Sequence, residues 1–192
     1  MKIRCPWADN NKLLTDYHDH EWGIPIHDDR HLFEFLTLEG AQAGLSWTLI
    51  LQKRENYRQA FDNFQIDKVA NYNQDKIKEL LENQGIIRNR LKINATINNA
   101  LTILDIQEKY ESFDSYMWQF VGNKPINNKW KTLSELPSST PESDKMSKDL
   151  KKKGFKFVGP TICYSFMQAV GMVNDHLVDC FRHDEIENKL PK

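Results

Sequence analysis

From Leu32 onward the apolar residues of this chain recur at spacings of three and four, and no run alternates apolar with polar over the length of a strand. That patterning specifies helices packed on helices, an all-α fold with no sheet of any size. Composition agrees. Among 192 residues only eight glycines and seven prolines punctuate the pattern, while ten Phe, six Tyr and five Trp supply a large aromatic core for a single domain over 1–192.

The spacing predicts one helix around Leu32 and Leu36 and a second over about 49–61, broken apart near Gly40 and Gly44. A third covers about 75–83, where Ile77, Leu80 and Leu81 share a face and Gly85 is the stop. A long amphipathic helix over 88–108 turns Leu91, Ala95, Ile97, Leu101 and Leu104 inward, and a short one covers 116–121. Residues 122–143, with Gly122, Pro125, Pro137 and Pro141, read as a loop excursion. Beyond it come a helix over 144–153, a turn through Gly154 and Gly159, and an uncharged helix over 161–171, so that helix, hairpin and helix occupy about 143–172.

Lys and Arg number 26 against 27 Asp and Glu, a net charge of -1, which taken alone favours a small molecule over nucleic acid as partner. The distribution argues otherwise. Residues 1–40 hold eight acidic and four basic side chains, 86–92 hold Arg88, Arg90 and Lys92 with no acid, and 145–156 hold six lysines and one aspartate. A polarised molecule with a weak overall field holds nucleic acid modestly and with a steep salt dependence.

Three cysteines, Cys5, Cys163 and Cys180, form no disulfide framework and point to a reducing, cytoplasmic setting. The N-terminal segment lacks an apolar signal core. The one long uncharged run, 157–174, contains Gly, Pro, Thr, Ser and Gln, so it reads as a buried helix and not as a membrane span.

His176 and Cys180 stand four apart, a spacing that on a helix sets imidazole and thiolate on one face; Cys5 and His18 would complete a set of two thiolates and two imidazoles. Two buried free cysteines and two hydrogen-bonded histidines satisfy the same spacing, and His20, His27, His31 and His183 offer further nitrogens. Four protein ligands would close a zinc coordination sphere and make the ion structural, joining 5–18 to 176–180. A zinc hydrolase of small molecules would instead need one position open to water. Cys163, with no acid or histidine at ligand spacing, reads as an inert core thiol.

Trp7, Tyr17, Trp22 and Trp47 with Glu39 can form a slot for a flat heterocycle, the rings stacking on its faces while the carboxylate accepts from its N–H edge. The same rings can equally be plain core. Glu39 is harder to place there, since a carboxylate ending an apolar run requires a cationic partner or a ligand. The lysine-rich segment leads into Phe157, Val158 and Gly159, where glycine permits close backbone approach and the following helix offers N–H donors to a phosphate. Such a hairpin would also serve a DNA-binding module without catalysis.

Three segments, in order along nearly the whole chain, carry a family resemblance: 4–7 (RCPW) with 17–25 (YHDHEWGIP), 38–47 (LEGAQAGLSW) with 53–56 (KREN), and 154–169 (GFKFVGPTICYSFMQA) with 174–176 (NDH). The chain resembles the type I 3-methyladenine DNA glycosylases. The resemblance implies a helix-hairpin-helix DNA glycosylase fold, a structural Zn2+ on Cys5, His18, His176 and Cys180, and hydrolytic excision of 3-methyladenine from double-stranded alkylated DNA. It implies free 3-methyladenine as product and no lyase activity. Glu39 is then the catalytic group, and Tyr17, Trp47, Trp7, Trp22 and Ser165 bind the base. Gln42 and Leu45 match the loop that wedges into the duplex; Phe157, Val158 and Gly159, with Lys156 beside them, match the phosphate-gripping hairpin.

N3-methylation makes the nucleobase cationic and its glycosidic bond weak, so flipping, stacking on Trp47, edge reading by Glu39 and Tyr17, and capture of the sugar cation by water suffice. A monomer with no membrane partner is expected. The wider superfamily carries an aspartate in a Val-Asp-x-His context; here the run is Val173, Asn174, Asp175, His176, so Asn174 lacks that carboxylate and Asp175 is left to orient His176.

Overall fold

Helix starts follow the capping chemistry of the sequence. In the computed structural model, which describes residues 2–188, α1 (Lys12–His20), α2 (Asp29–Gln42) and α3 (Trp47–Ala60) begin after Asn11, Asp28 and Ser46, whose side chains accept from the N–H of Leu14, His31 and Leu49. A five-residue α4 (Ile66–Ala70) follows, then α5 (Gln74–Glu82), α6 (Arg90–Tyr110) and α7 (Phe113–Trp118), these last three capped by Asn73, Asn89 and Ser112. Thr140 and Ser143 cap each other reciprocally at the start of α8 (Pro141–Lys153). By contrast, α9 (Pro160–Ala169) starts at Gly159 with no side-chain cap, and so does α10 (Phe181–Glu187) after Cys180. Met1 and 189–192 lie outside the described residues.

The all-helical expectation holds. Among the described residues the only sheet pairs β1 (Ile126–Asn127) with β2 (Val173–Asn174), in parallel. At the centre lies α2, buried from Leu32 to Ala41 because α3, α6, α7 and α9 surround it. No helix among the described residues is long and apolar enough to cross a membrane.

The inward face of α6 differs from the expected stripe. Ile93, Ala95, Thr96, Asn99, Ala100, Ile103 and Ile106 are buried, whereas Leu91 is 70% and Leu101 50% exposed. Ala95, Thr96, Asn99 and Ala100 alternate with three isoleucines where α2, α4 and the hairpin meet this face, Ile97 and Leu104 pack at its edge, and only Leu91 and Leu101 of the expected stripe turn outward. The 122–143 excursion is also less irregular than expected, containing β1 and a 3-10 turn at Leu133–Glu135 before α8 begins at Pro141.

Two glycines fix the hairpin. Gly154, at φ +100°, ends α8 and lets the Phe155 N–H return to Leu150 O, which directs Phe155 into the core. On α2, a Cβ at Gly40 would stand 3.2 Å from Phe157 Cβ, so only glycine allows the hairpin to press this closely on the central helix.

Candidate functional site

Four α-helices, one 3-10 turn and two loops converge on a cavity of about 380 Å³. Trp7 comes from a 3-10 turn, Leu14 and Tyr17 from α1, Trp22 from just beyond it, Glu39 and Gln42 from α2, and Trp47 and Thr48 from the start of α3. Ser165 and Gln168 come from α9, and Leu136 from the excursion. Every residue expected to bind the base is therefore on one wall or another. The Trp7 and Trp22 rings meet edge-on at 5.0 Å, and Tyr17 lies 5.6 Å from Trp47. The indole Nε1 of Trp47 is buried without a full hydrogen bond.

Glu39 is 5% exposed and accepts no hydrogen bond from any described residue; burial alone pushes its carboxyl up to about 8. Burial, then the neighbouring Glu39, drives the Tyr17 hydroxyl well above its usual value. The buried cation of this region, Arg54, is already engaged with Glu34 at 2.6 Å and Glu21 at 2.5 Å. Of the two explanations for a buried Glu39, a cationic partner within the protein is thus absent among the described residues, and a ligand remains.

The loop between α2 and α3 turns through Gly44 and leaves Leu45 37% exposed, with Gln42 Nε2 donating to Leu45 O at 3.2 Å. Lys92 Nζ donates to Ala41 O and Ala43 O at 2.7 and 2.8 Å, closing the C-terminus of α2, and burial lowers its pKa. The basic patch expected over 88–92 is therefore reduced to Arg88 and Arg90, because Lys92 is spent on holding this loop. In the hairpin Lys156 is exposed, Phe157 and Gly159 are half-buried, and Val158 is core, its carbonyl accepting from Ser147 Oγ at 2.6 Å. Asn99 clamps the hairpin from α6: its Nδ2 donates to Lys156 O at 3.0 Å and its Oδ1 accepts from Lys156 N at 2.8 Å, while Asn98 Nδ2 donates to Gly154 O. Nothing in the sequence singled out these two asparagines, whose partners are more than fifty residues away.

Behind the Trp7 and Trp22 wall, Cys5, His18, His176 and Cys180 are all buried, and one donor atom from each lies within 4.8 Å of the others. The nitrogens His18 Nε2 and His176 Nδ1 are 3.2 Å apart, Cys180 Sγ is 3.4 and 3.6 Å from them, and Cys5 Sγ is 3.8 Å from His176 Nδ1. A tetrahedron with metal–sulfur bonds of about 2.3 Å and metal–nitrogen bonds of about 2.0 Å has edges of about 3.3 to 3.8 Å, so the donor set fits a metal ion. The outward nitrogens are already paired: His18 Nδ1 with Asp19 at 2.8 Å, and His176 Nε2 with Trp22 O at 3.1 Å. Arg4 in turn grips Asp19 through Nε at 2.9 Å and Nη2 at 2.8 Å, which with the His18 contact holds that carboxyl down at about 2.

The sequence placed His176 and Cys180 on a helix; they lie instead on a turn in which Cys180 N–H bonds Leu177 O, since α10 starts only after Cys180. Nor does Asp175 orient His176. Its carboxyl points to Asn128, Trp130, Tyr164 and Gln168, and the Trp22 carbonyl does the orienting. Cys163 is an inert core thiol as expected, its pKa raised to about 12 by burial.

A helix-hairpin-helix frame sets an uncapped α9 beside a cavity of aromatic rings and a carboxyl, an arrangement with the shape and chemistry to hold a flat heterocycle. The methyladenine glycosylase family model matches residues 7–183, and the chain belongs to that family. It is 51% identical over 177 residues to DNA-3-methyladenine glycosylase 1 of Escherichia coli (strain K12), covering 92% of this chain and 95% of that protein. A crystal structure of 3-methyladenine DNA glycosylase I superposes with a TM-score of 0.91 at 50% identity, covering 93% of this chain and 98% of that one. A Staphylococcus aureus structure of the same enzyme, described as the basis of 3-methyladenine recognition, gives 0.90 at 38% identity, covering 93% and 95%.

Proposed function

We propose that this chain is a DNA base-excision glycosylase that flips 3-methyladenine out of alkylated duplex DNA and hydrolyses its N-glycosidic bond, leaving an abasic site and the free base. The observation that carries the reading is Glu39, a buried carboxyl in an aromatic cavity with no hydrogen-bond or ionic partner among the described residues. A cationic methylated base supplies the missing charge. On entry it favours the Glu39 carboxylate, so the group gives up the proton that burial makes it keep in the empty cavity. Trp47 stacks on the base, Tyr17 and Ser165 complete its polar contacts, and Trp7 and Trp22 exclude water from its far side.

Because the base leaves as a neutral molecule from a cation, no acid is needed to protonate it. Glu39 acts as the catalytic group by holding the base through the transition state; the C1′–N bond breaks with its electron pair on the base, and water adds to C1′ of the sugar cation and loses its proton to solvent. No lysine among the described residues lines the cavity, which fits hydrolysis without lyase chemistry. Gln42 and Leu45 fill the gap left in the duplex, and Lys156, Phe157, Val158 and Gly159 grip the backbone at the start of α9, Val158 through its main chain.

Cys5, His18, His176 and Cys180 would hold a zinc, structural because four protein donors leave no open position. Held there, the ion would supply no step of the reaction and would tie the N-terminal turn to the segment before α10. The enzyme works as a cytoplasmic monomer, one domain over 1–192. The test is chromatographic identification of the base released from methylated duplex DNA: free 3-methyladenine is expected, and its absence would refute the reading.

A further inference from the structure

The carboxyl of Asp175, 1% exposed, lies at the meeting point of the excursion and α9 and takes four hydrogen bonds. Asn128 Nδ2 at 2.7 Å and Trp130 Nε1 at 2.8 Å donate to Oδ1; Tyr164 Oη at 2.5 Å and Gln168 Nε2 at 2.7 Å donate to Oδ2. A carboxylate only accepts, so Gln168 has to turn its NH2 group toward Asp175. Its Oε1 is then the free end of the amide, accepting from no described residue, and Gln168 lines the same cavity as Glu39. We propose that Asp175 is a positioning residue that fixes Gln168 Oε1 as a hydrogen-bond acceptor in the base cavity, where it selects a 6-aminopurine over a 6-oxopurine.

The chemistry is one of matching signs. A methylated adenine presents an exocyclic N–H2 donor at its sixth position, which Oε1 accepts. A methylated guanine carries a carbonyl there, and two buried acceptors face one another unpaired. Glu39 enforces this less firmly, since a carboxyl ionised by either cationic base can regain its proton and donate to a 6-oxo group. The amide oxygen has no such second form.

The inference rests on the glycosylase reading and is tested in the same assay, with duplex DNA carrying both 3-methyladenine and 3-methylguanine and both released bases quantified. In Asp175→Asn the amide oxygen has to stay toward Trp130, whose indole only donates, so the new NH2 faces Tyr164 and Gln168, both able to accept. Gln168 then rotates and presents its own NH2 to the cavity. The ratio of 3-methyladenine to 3-methylguanine release should fall by about tenfold or more, the worth of one buried hydrogen bond exchanged for a mismatch. Gln168→Leu should lower the ratio in the same direction without any rotation, and it carries the test should Asp175→Asn fail to fold. Adding Gln168→Glu to Asp175→Asn returns an acceptor to the cavity and should restore the ratio. If Gln168→Leu keeps the wild-type ratio, or Asp175→Asn slows both bases equally, the proposal is overturned. A wild-type protein that releases neither base refutes the functional reading itself, and the inference falls with it.

Discussion

The cluster of Cys5, His18, His176 and Cys180 and the aromatic cavity share a wall, Trp7 and Trp22, yet they treat buried polar groups in opposite ways. In the cluster each imidazole has its outward nitrogen paired, His18 to Asp19 and His176 to the Trp22 carbonyl, and the four inward donors face one another at tetrahedral distances. In the cavity Glu39 and the indole nitrogen of Trp47 are left without full partners. A closed donor set is built around a resident. An incomplete one costs the empty protein stability and is built for a visitor.

The largest effect should come from breaking the resident's site. Cys180→Ser should lose the ion and destabilise the fold by about 3 kcal/mol or more, read from metal content and thermal midpoint. A wild type holding one zinc per chain is expected; a metal-free protein of equal stability would break the comparison. Asp19→Asn, which leaves all four ligands in place, should weaken metal affinity by about tenfold or more in a chelator competition, because it loosens the hold on His18.

In the cavity, Trp47→Ala should reduce 3-methyladenine release about tenfold to a hundredfold by removing the stacking face. The rate at subsaturating DNA should climb with pH through about 8, where the free Glu39 carboxyl is half ionised, and level off above it, and Glu39→Gln should flatten that limb. A pH-independent wild type would mean that the ionised carboxylate is not what receives the base. The smallest effect belongs to the surface. Lys156→Ala should lower DNA affinity by a few fold and reduce the slope of its salt dependence by about one, whatever the sequence of the duplex. Selectivity between damaged bases should be unchanged.

Much of this was legible in the sequence, and the parts that were not are either too short for a periodic signal or set by partners distant along the chain. Apolar spacing and glycine stops located α2, α3, α5, α6, α8 and α9 because both signals are local. The four metal donors and the aromatic slot were legible as residue types, and family resemblance supplied their grouping. The short α1, α4 and α10 carry too few turns for periodicity to show. Leu91 and Leu101 were misjudged because which face of α6 is buried depends on what α2, α4 and the hairpin bring to it. Lys92 looked like a DNA contact and is a cap on α2, while Asn98, Asn99 and Asp175 act through partners about forty-five or more residues away, or across a turn, and leave no pattern along the chain. The average charge of -1 likewise conceals where the cations stand: Lys156, Arg88 and Arg90 are exposed and Lys92 is spoken for.

The central claim, that Glu39 is kept at a cost to the fold for the sake of the base, is most directly tested by one variant measured two ways. Its carboxyl titrates near 8 in the empty cavity against an ordinary value near 4.5. The unfolded chain therefore gains from ionisation above about 4.5 while the folded one gains nothing until about 8, so Glu39 lowers stability increasingly across that window. Glu39→Gln assayed at pH 8 should raise the thermal midpoint, with the gain vanishing below about pH 4.5, and should slow 3-methyladenine release by about a hundredfold or more. A variant that releases the base at the wild-type rate, or one that loses stability at pH 8, would contradict the account.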